Sequence, residues 1–310
     1  MEQETRKAAA RELLRGAYDI HIHSNPSLGP DGEGFGISDE EVAEEAFQAG
    51  LSGICLKNTE SATIFRGWTL NRQERFSSAG FHCYSSLTLN LPVGGINPYA
   101  VDYAICQGAA CIWFPTYSAE NMRSALEAAE KGGVEISPWN PARRLLPPPG
   151  GKGICVLDER GQVLPEVRDV IAMTKEAGVC LATGHLSPKE SYAVCREGVR
   201  MGHRKMIFTH PDNRYTRAPY DMLEDLAGRG VYLEKTYFSH VRDYQEERAY
   251  DYVRRIGAEH FFLTSDTGQR EMLRPAKAME AYVEAYLEHG FSVEEIGRMV
   301  RENPGFLIKG

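Results

Sequence analysis

Tyr18-Asp19-Ile20-His21-Ile22-His23-Ser24-Asn25-Pro26 reads as a strand that ends in two histidines. Residues i and i+2 of a β-strand share a face, so His21 and His23 project side by side while Ile20 and Ile22 pack behind them. Two imidazoles placed this way can hold one metal ion. A half-exposed strand shows the same spacing of polar residues, so the stretch acquires meaning only from what the rest of the chain sets beside it.

Outward from this stretch, short apolar runs alternate with longer amphipathic ones, the pattern of βα units around a parallel sheet. Eight strands are expected, at 18–23, 53–57, 81–85, 110–115, 179–183, 205–209, 231–234 and 261–264. Helix starts are legible between them. Ser38-Asp39-Glu40-Glu41, Ser187-Pro188-Lys189-Glu190 and Ser292-Val293-Glu294-Glu295 each fit a capping box, with acidic first turns that suit the helix dipole. Eight strands each followed by a helix close most economically into an α/β (β/α)8 TIM barrel; an open doubly wound sheet is the alternative. Residues 132–165, with Pro147-Pro148-Pro149-Gly150-Gly151 and a hairpin signal at Asp158-Glu159-Arg160-Gly161, break the rhythm and read as an insertion before strand five. A ninth possible strand at 134–138 lies inside it. The helix that begins at Ser292 has no strand after it and should cap the barrel, so residues 1–310 are expected to form one domain.

Composition narrows the class. The chain is 42% hydrophobic and 25% charged with a formal net charge of −8, ordinary for a globular protein and unfavourable for a nucleic-acid partner. No run approaches a membrane span, and residues 1–16 lack the apolar core of a secretory signal. Seven cysteines with no CxxC pair suit reduced, buried thiols in a cytoplasmic protein better than a disulfide framework. The partner expected is a small molecule, with a homo-oligomer left open.

Active sites of such barrels sit at the C-terminal ends of the strands. There the sequence offers Ala182-Thr183-Gly184-His185 on strand five, Ile207-Phe208-Thr209-His210 on strand six and Leu263-Thr264-Ser265-Asp266 on strand eight. With His21 and His23 these make four imidazoles and one carboxylate on one rim, a donor set suited to Zn²⁺ or a similar divalent ion. His185 and His210 are 25 residues apart, one βα unit, and His210 and Asp266 are 56 apart, two units. Each residue alone has an ordinary reading as a hydrogen-bonded strand end; the joint pattern carries the inference. Glu190 is explained by its capping box. Lys57, ending an otherwise apolar strand two, points to the rim as an anion binder or, carboxylated, a metal ligand. Glu234 shares that rim, and Arg143, Arg144, Lys152, Arg214 and Arg217 could gather an anionic substrate group.

In these motifs the chain resembles the amidohydrolase superfamily of metal-dependent hydrolases, near its small TatD-like and phosphotriesterase-like members. The resemblance implies that His21, His23 and Asp266 bind the more buried of two metals and that His185 and His210 bind the second. It also implies a bridging Lys or Glu on strand four, where Ala110-Cys111-Ile112-Trp113-Phe114-Pro115-Thr116 has neither. Lys57, Glu135 or no bridge at all are the alternatives, so one or two ions, zinc first, are expected. The chemistry that follows is attack of a metal-activated water on an amide, lactone or ester, with Asp266 as proton shuttle and His210 holding a second ion or polarising the carbonyl. Phosphoester hydrolysis is the alternative reaction, and a non-catalytic metal- or ligand-binding barrel the alternative class.

Overall fold

The computed structural model describes residues 3–28, 34–133, 151–242 and 247–309. Eight strands run in the order β1 to β8, every neighbouring pair parallel. They are β1 Tyr18–His23, β2 Gly53–Lys57, β3 His82–Thr88, β4 Ala109–Trp113, β5 Cys180–Ala182, β6 Met206–Phe208, β7 Tyr232–Thr236 and β8 Phe261–Thr264. The two ends of the sheet meet through Asp266 N donating to His21 O at 2.9 Å and His23 N donating to Thr267 O at 3.0 Å. This is the (β/α)8 barrel expected, and the bonds that bring its edges together are made by three of the residues singled out in the sequence.

Alternation along the strands sorts side chains into two apolar clusters. Ile54, Leu56, Ile112, Leu181, Leu233 and Leu263 face the surrounding helices. Cys55, Cys111, Trp113, Cys180, Ala182, Ile207 and Phe262 fill the barrel interior. One expectation fails. Ile20 lies in the inner cluster and Ile22 in the outer one, because the β1–β2 register shifts between Asp19 and Ile22. The bulge breaks the simple i, i+2 alternation and brings both Asp19 and His21 to full burial.

All three capping boxes form, at Ser38, Ser187 and Ser292. Glu190 does more than cap, since its Oε1 also accepts from Val156 N at 3.2 Å and ties down the segment before β5. That segment forms the expected hairpin, with Leu157 bridged antiparallel to Val163 and the Asp158 carboxylate accepting from Arg160 N and Gln162 N. The possible strand at 134–138, with Glu135, and the Arg143-Arg144 pair lie outside the described residues. From Ser292 the chain passes through helix Val293–Gly297, a π-helical turn Arg298–Glu302 and helix Asn303–Ile308. Leu307 and Ile308 enter the inner cluster, and the Lys309 ammonium lies 4.8 Å from the Tyr18 ring, so the last helix closes the N-terminal mouth of the barrel. The described cysteines are all unpaired and five of the seven are buried. No helix among the described residues is long and apolar enough to cross a membrane.

Candidate metal centre

His21, His23 and Asp266 converge at the C-terminal rim. Asp266 Oδ1 lies 3.0 Å from His21 Nε2 and 3.1 Å from His23 Nε2, and the three donor atoms form the one His/Cys/Asp/Glu cluster among the described residues compact enough to hold an ion. Around a tetrahedral ion with bonds of about 2.0–2.1 Å, neighbouring donors stand about 3.3 Å apart. The observed spacings match that closely, so the set fits a divalent cation. Two neutral imidazoles and a carboxylate are also the donors such an ion prefers.

The surrounding residues fix this triad. Glu234 is fully buried and its Oε1 lies 2.8 Å from His21 Nδ1. Thr264 Oγ1 donates to the same oxygen at 2.9 Å, and His210 N donates to Oε2 at 3.1 Å. A carboxylate behind an imidazole places the ring proton on Nδ1 and turns Nε2 toward the ligand position. On the opposite face His23 stacks on Phe35 at 5.0 Å between centroids, and Asn25 clamps Phe35 through both main-chain groups. Asp266 adopts φ +50° in the turn after β8. That turn closes on Gly268, where a Cβ would stand 2.0 Å from His23 O; only glycine lets the two strand ends approach this closely.

Electrostatics follow from burial. Desolvation opposes charge on Asp266, yet His21 and His23 outweigh it and hold the carboxyl well below its ordinary range. Desolvation likewise lowers His21, but Asp266 and then Glu234 raise it above the usual value on balance. His23 is pushed down to about 4 by burial. Burial lowers His185, His210 and Lys57 as well. Below the triad Asp19 accepts from Ser265 N at 3.1 Å, and burial raises its carboxyl to about 7.

His185 and His210 are neighbours, their ring centroids 5.1 Å apart, and His210 lies 6.2 Å from His21. Both line a cavity of about 210 Å³ together with His23, Lys57 and Asp266. They stand outside the compact triad, and their buried Nδ1 atoms have no hydrogen-bond partner. Lys57 Nζ is 2.8 Å from His21 Nε2. The inward end of β4, where the resemblance implies a bridging ligand, is taken by Trp113, whose ring is 4.6 Å from His21 and 4.4 Å from Lys57 Nζ. Arg214 lines the cavity; Arg217 and Lys152 do not, and Arg242 from the helix Tyr237–Arg242 does. Sequence reasoning missed Phe35, Trp113, Tyr117, Tyr215 and Arg242 as neighbours of the site, and only Trp113 had a signal, its place at the end of a barrel strand.

Residues 16–234 match the model of a family described as a family of unknown function, DUF6282. The chain belongs to that family. The match takes in β1 through Glu234 and stops before β8, so Asp266 lies beyond it. No curated protein matches the sequence. Solved structures similar to this DUF6282 chain include an amidohydrolase from Pseudomonas aeruginosa, with TM-score 0.63 and 13% identity over 96% of this chain and 98% of that one. The probable dipeptidase PvdM from Pseudomonas aeruginosa follows, with TM-score 0.61 and 11% identity over 98% of each chain. An organophosphorus hydrolase from Deinococcus radiodurans gives TM-score 0.57 and 11% identity over 97% of this chain and 94% of that one. At these identities the likeness is one of fold.

Proposed function

We propose that this DUF6282 protein is a metal-dependent hydrolase acting on the carbonyl of a small amide, lactone or ester, with residues 1–310 working as one catalytic domain. The observation that carries the reading is the His21–His23–Asp266 triad at ligand spacing, backed by Glu234 and open to a cavity. His21, His23 and Asp266 would hold a divalent ion, zinc first, and such an ion supplies Lewis acidity and a water acidified toward neutral pH. Asp266, ionised and at the cavity wall, takes the water's proton and returns it to the leaving group. His210, neutral at pH 7, faces the same space and would either polarise the carbonyl or, with His185, help hold a second ion if one binds. Similar structures described as amidohydrolase, dipeptidase and organophosphorus hydrolase support a hydrolytic reading. The unpaired thiols suit a reducing, cytoplasmic setting.

Phosphoester hydrolysis is favoured by one specific feature, the presence of Lys57, Arg214 and Arg242 on the same cavity. Metal content per chain, measured after purification without added metal, is the first test, with one or two ions expected. A panel of lactones, amides and esters against nitrophenyl phosphates, before and after chelation, then separates the reactions. Absence of metal binding, or carbonyl hydrolysis that survives chelation, removes the metal-dependent reading.

A further inference from the structure

Lys57 has surroundings that the hydrolase reading leaves unexplained. It is 1% exposed, lines the cavity, and has one hydrogen-bond contact among the described residues, to His21 Nε2 at 2.8 Å, which it would give up once an ion takes that nitrogen's lone pair. No described carboxylate pairs with it within 4 Å; Asp266 and Glu234, the acids of the site, are both engaged by His21. The Trp113 ring at 4.4 Å offers it a π face and no anion. A buried ammonium without a hydrogen-bonded counter-ion is costly unless a ligand brings the anion.

We propose that Lys57 binds the anionic group of the substrate, and that the substrate is a small carbonyl compound with a carboxylate on a carbon next to the carbonyl. The proposal rests on the metal-site reading above. Adjacency follows from the geometry. Lys57 Nζ and Asp266 Oδ1 both touch the same atom, His21 Nε2, at 2.8 and 3.0 Å, so the anion position and the ion position share a wall. Size agrees, since about 210 Å³ is below the roughly 300–1,000 Å³ of pockets for drug-sized ligands.

Calorimetric titration of the zinc-loaded full chain with oxamate, its neutral isostere oxamide, and inorganic phosphate tests this. Oxamate should bind at least about tenfold more tightly than oxamide, the worth of one charge-assisted hydrogen bond. Lys57→Met should erase that preference, Lys57→Arg should restore part of it, and zinc per chain should stay the same in all three proteins. Equal binding of oxamate and oxamide, or a preference that survives Lys57→Met, overturns the proposal. Loss of zinc from Lys57→Met overturns it too, by making Lys57 a metal ligand. Tighter binding of phosphate than of oxamate, dependent on Lys57, overturns the carboxylate assignment in favour of a phosphate group. Affinity is read from the binding isotherm whether or not the amide turns over, so a chain that holds zinc and discriminates as expected but hydrolyses nothing refutes the hydrolase reading alone.

Discussion

Glu234→Gln is the sharpest perturbation of the metal centre, because it changes one charge and almost no volume at a residue that never faces the cavity. The carboxylate accepts from His21 Nδ1 at 2.8 Å and Thr264 Oγ1 at 2.9 Å on Oε1, and from His210 N at 3.1 Å on Oε2. A glutamine can place its carbonyl oxygen at only one of these positions. With oxygen at the Oε1 position, the bonds from His21 and Thr264 survive and the amide nitrogen meets the His210 N–H donor to donor. Two buried donors are then stranded, at about 1–3 kcal/mol each. The opposite orientation sets the amide against the His21 Nδ1–H instead, while the Thr264 hydroxyl can turn to accept. Loss of about 2–6 kcal/mol of unfolding free energy is therefore expected from urea titration of the chelated protein. Zinc affinity should fall about 10–100-fold, the usual effect of removing the partner of a ligating histidine. Competition against a chromophoric chelator measures it. Zinc affinity within twofold of the unsubstituted chain would show that His21 is not a ligand oriented by Glu234, and the triad would lose its support.

Asp266→Asn should abolish hydrolysis while circular dichroism and the thermal transition show a folded chain, asparagine being tolerated at positive φ; retained turnover would remove Asp266 from the chemistry. Burial holds the Asp19 carboxyl up at about 7, against about 3.9 in an unfolded chain. The folded state therefore binds the proton more tightly, and in chelated protein this group lowers stability as pH rises from about 4 to 7 and keeps it lowered above. Asp19→Asn retains an acceptor for Ser265 N and His21 N, and should raise the melting temperature at pH 8 by more than at pH 4; an increment independent of pH would contradict the assignment. Asp266 and Glu234 hold His21 above its ordinary value, so zinc loading near pH 7 should release protons in a number that grows with that upward shift. Calorimetry in buffers of different ionisation enthalpy reads that number, and no buffer dependence would count against His21 as a ligand.

The barrel was legible because each β-strand carries its own signal of apolar alternation and each helix its own start, down to the three capping boxes. Positions of the rim residues followed, since a strand end in this fold has one place to go. What the sequence hid depends on contacts between strands. The bulge that turns Ile20 inward is a register shift between β1 and β2, and neither strand announces it alone. Glu234 was visible as a rim residue, yet its task of holding His21 from 213 positions away arises only when barrel closure sets β7 and β1 on either side of β8. Phe35 reaches His23 through the Asn25 clamp, a loop conformation with no periodic signature. Trp113 was read as the absence of a bridge; the structure gives it a positive role as the surface on which His21 and Lys57 rest.

The backbone at His210 and Asp266 has φ of +24° and +50°, a region where a side chain with a Cβ costs roughly 1 kcal/mol or more. At both positions the conformation suits glycine and the chemistry requires something else. Selection for heat resistance alone would therefore favour glycine there as far as the backbone is concerned, and each gain would be made at the expense of the rim. A library of this chain screened only for stability should drift toward variants that fold better and do nothing, and positions 210 and 266 are where that drift would first be seen.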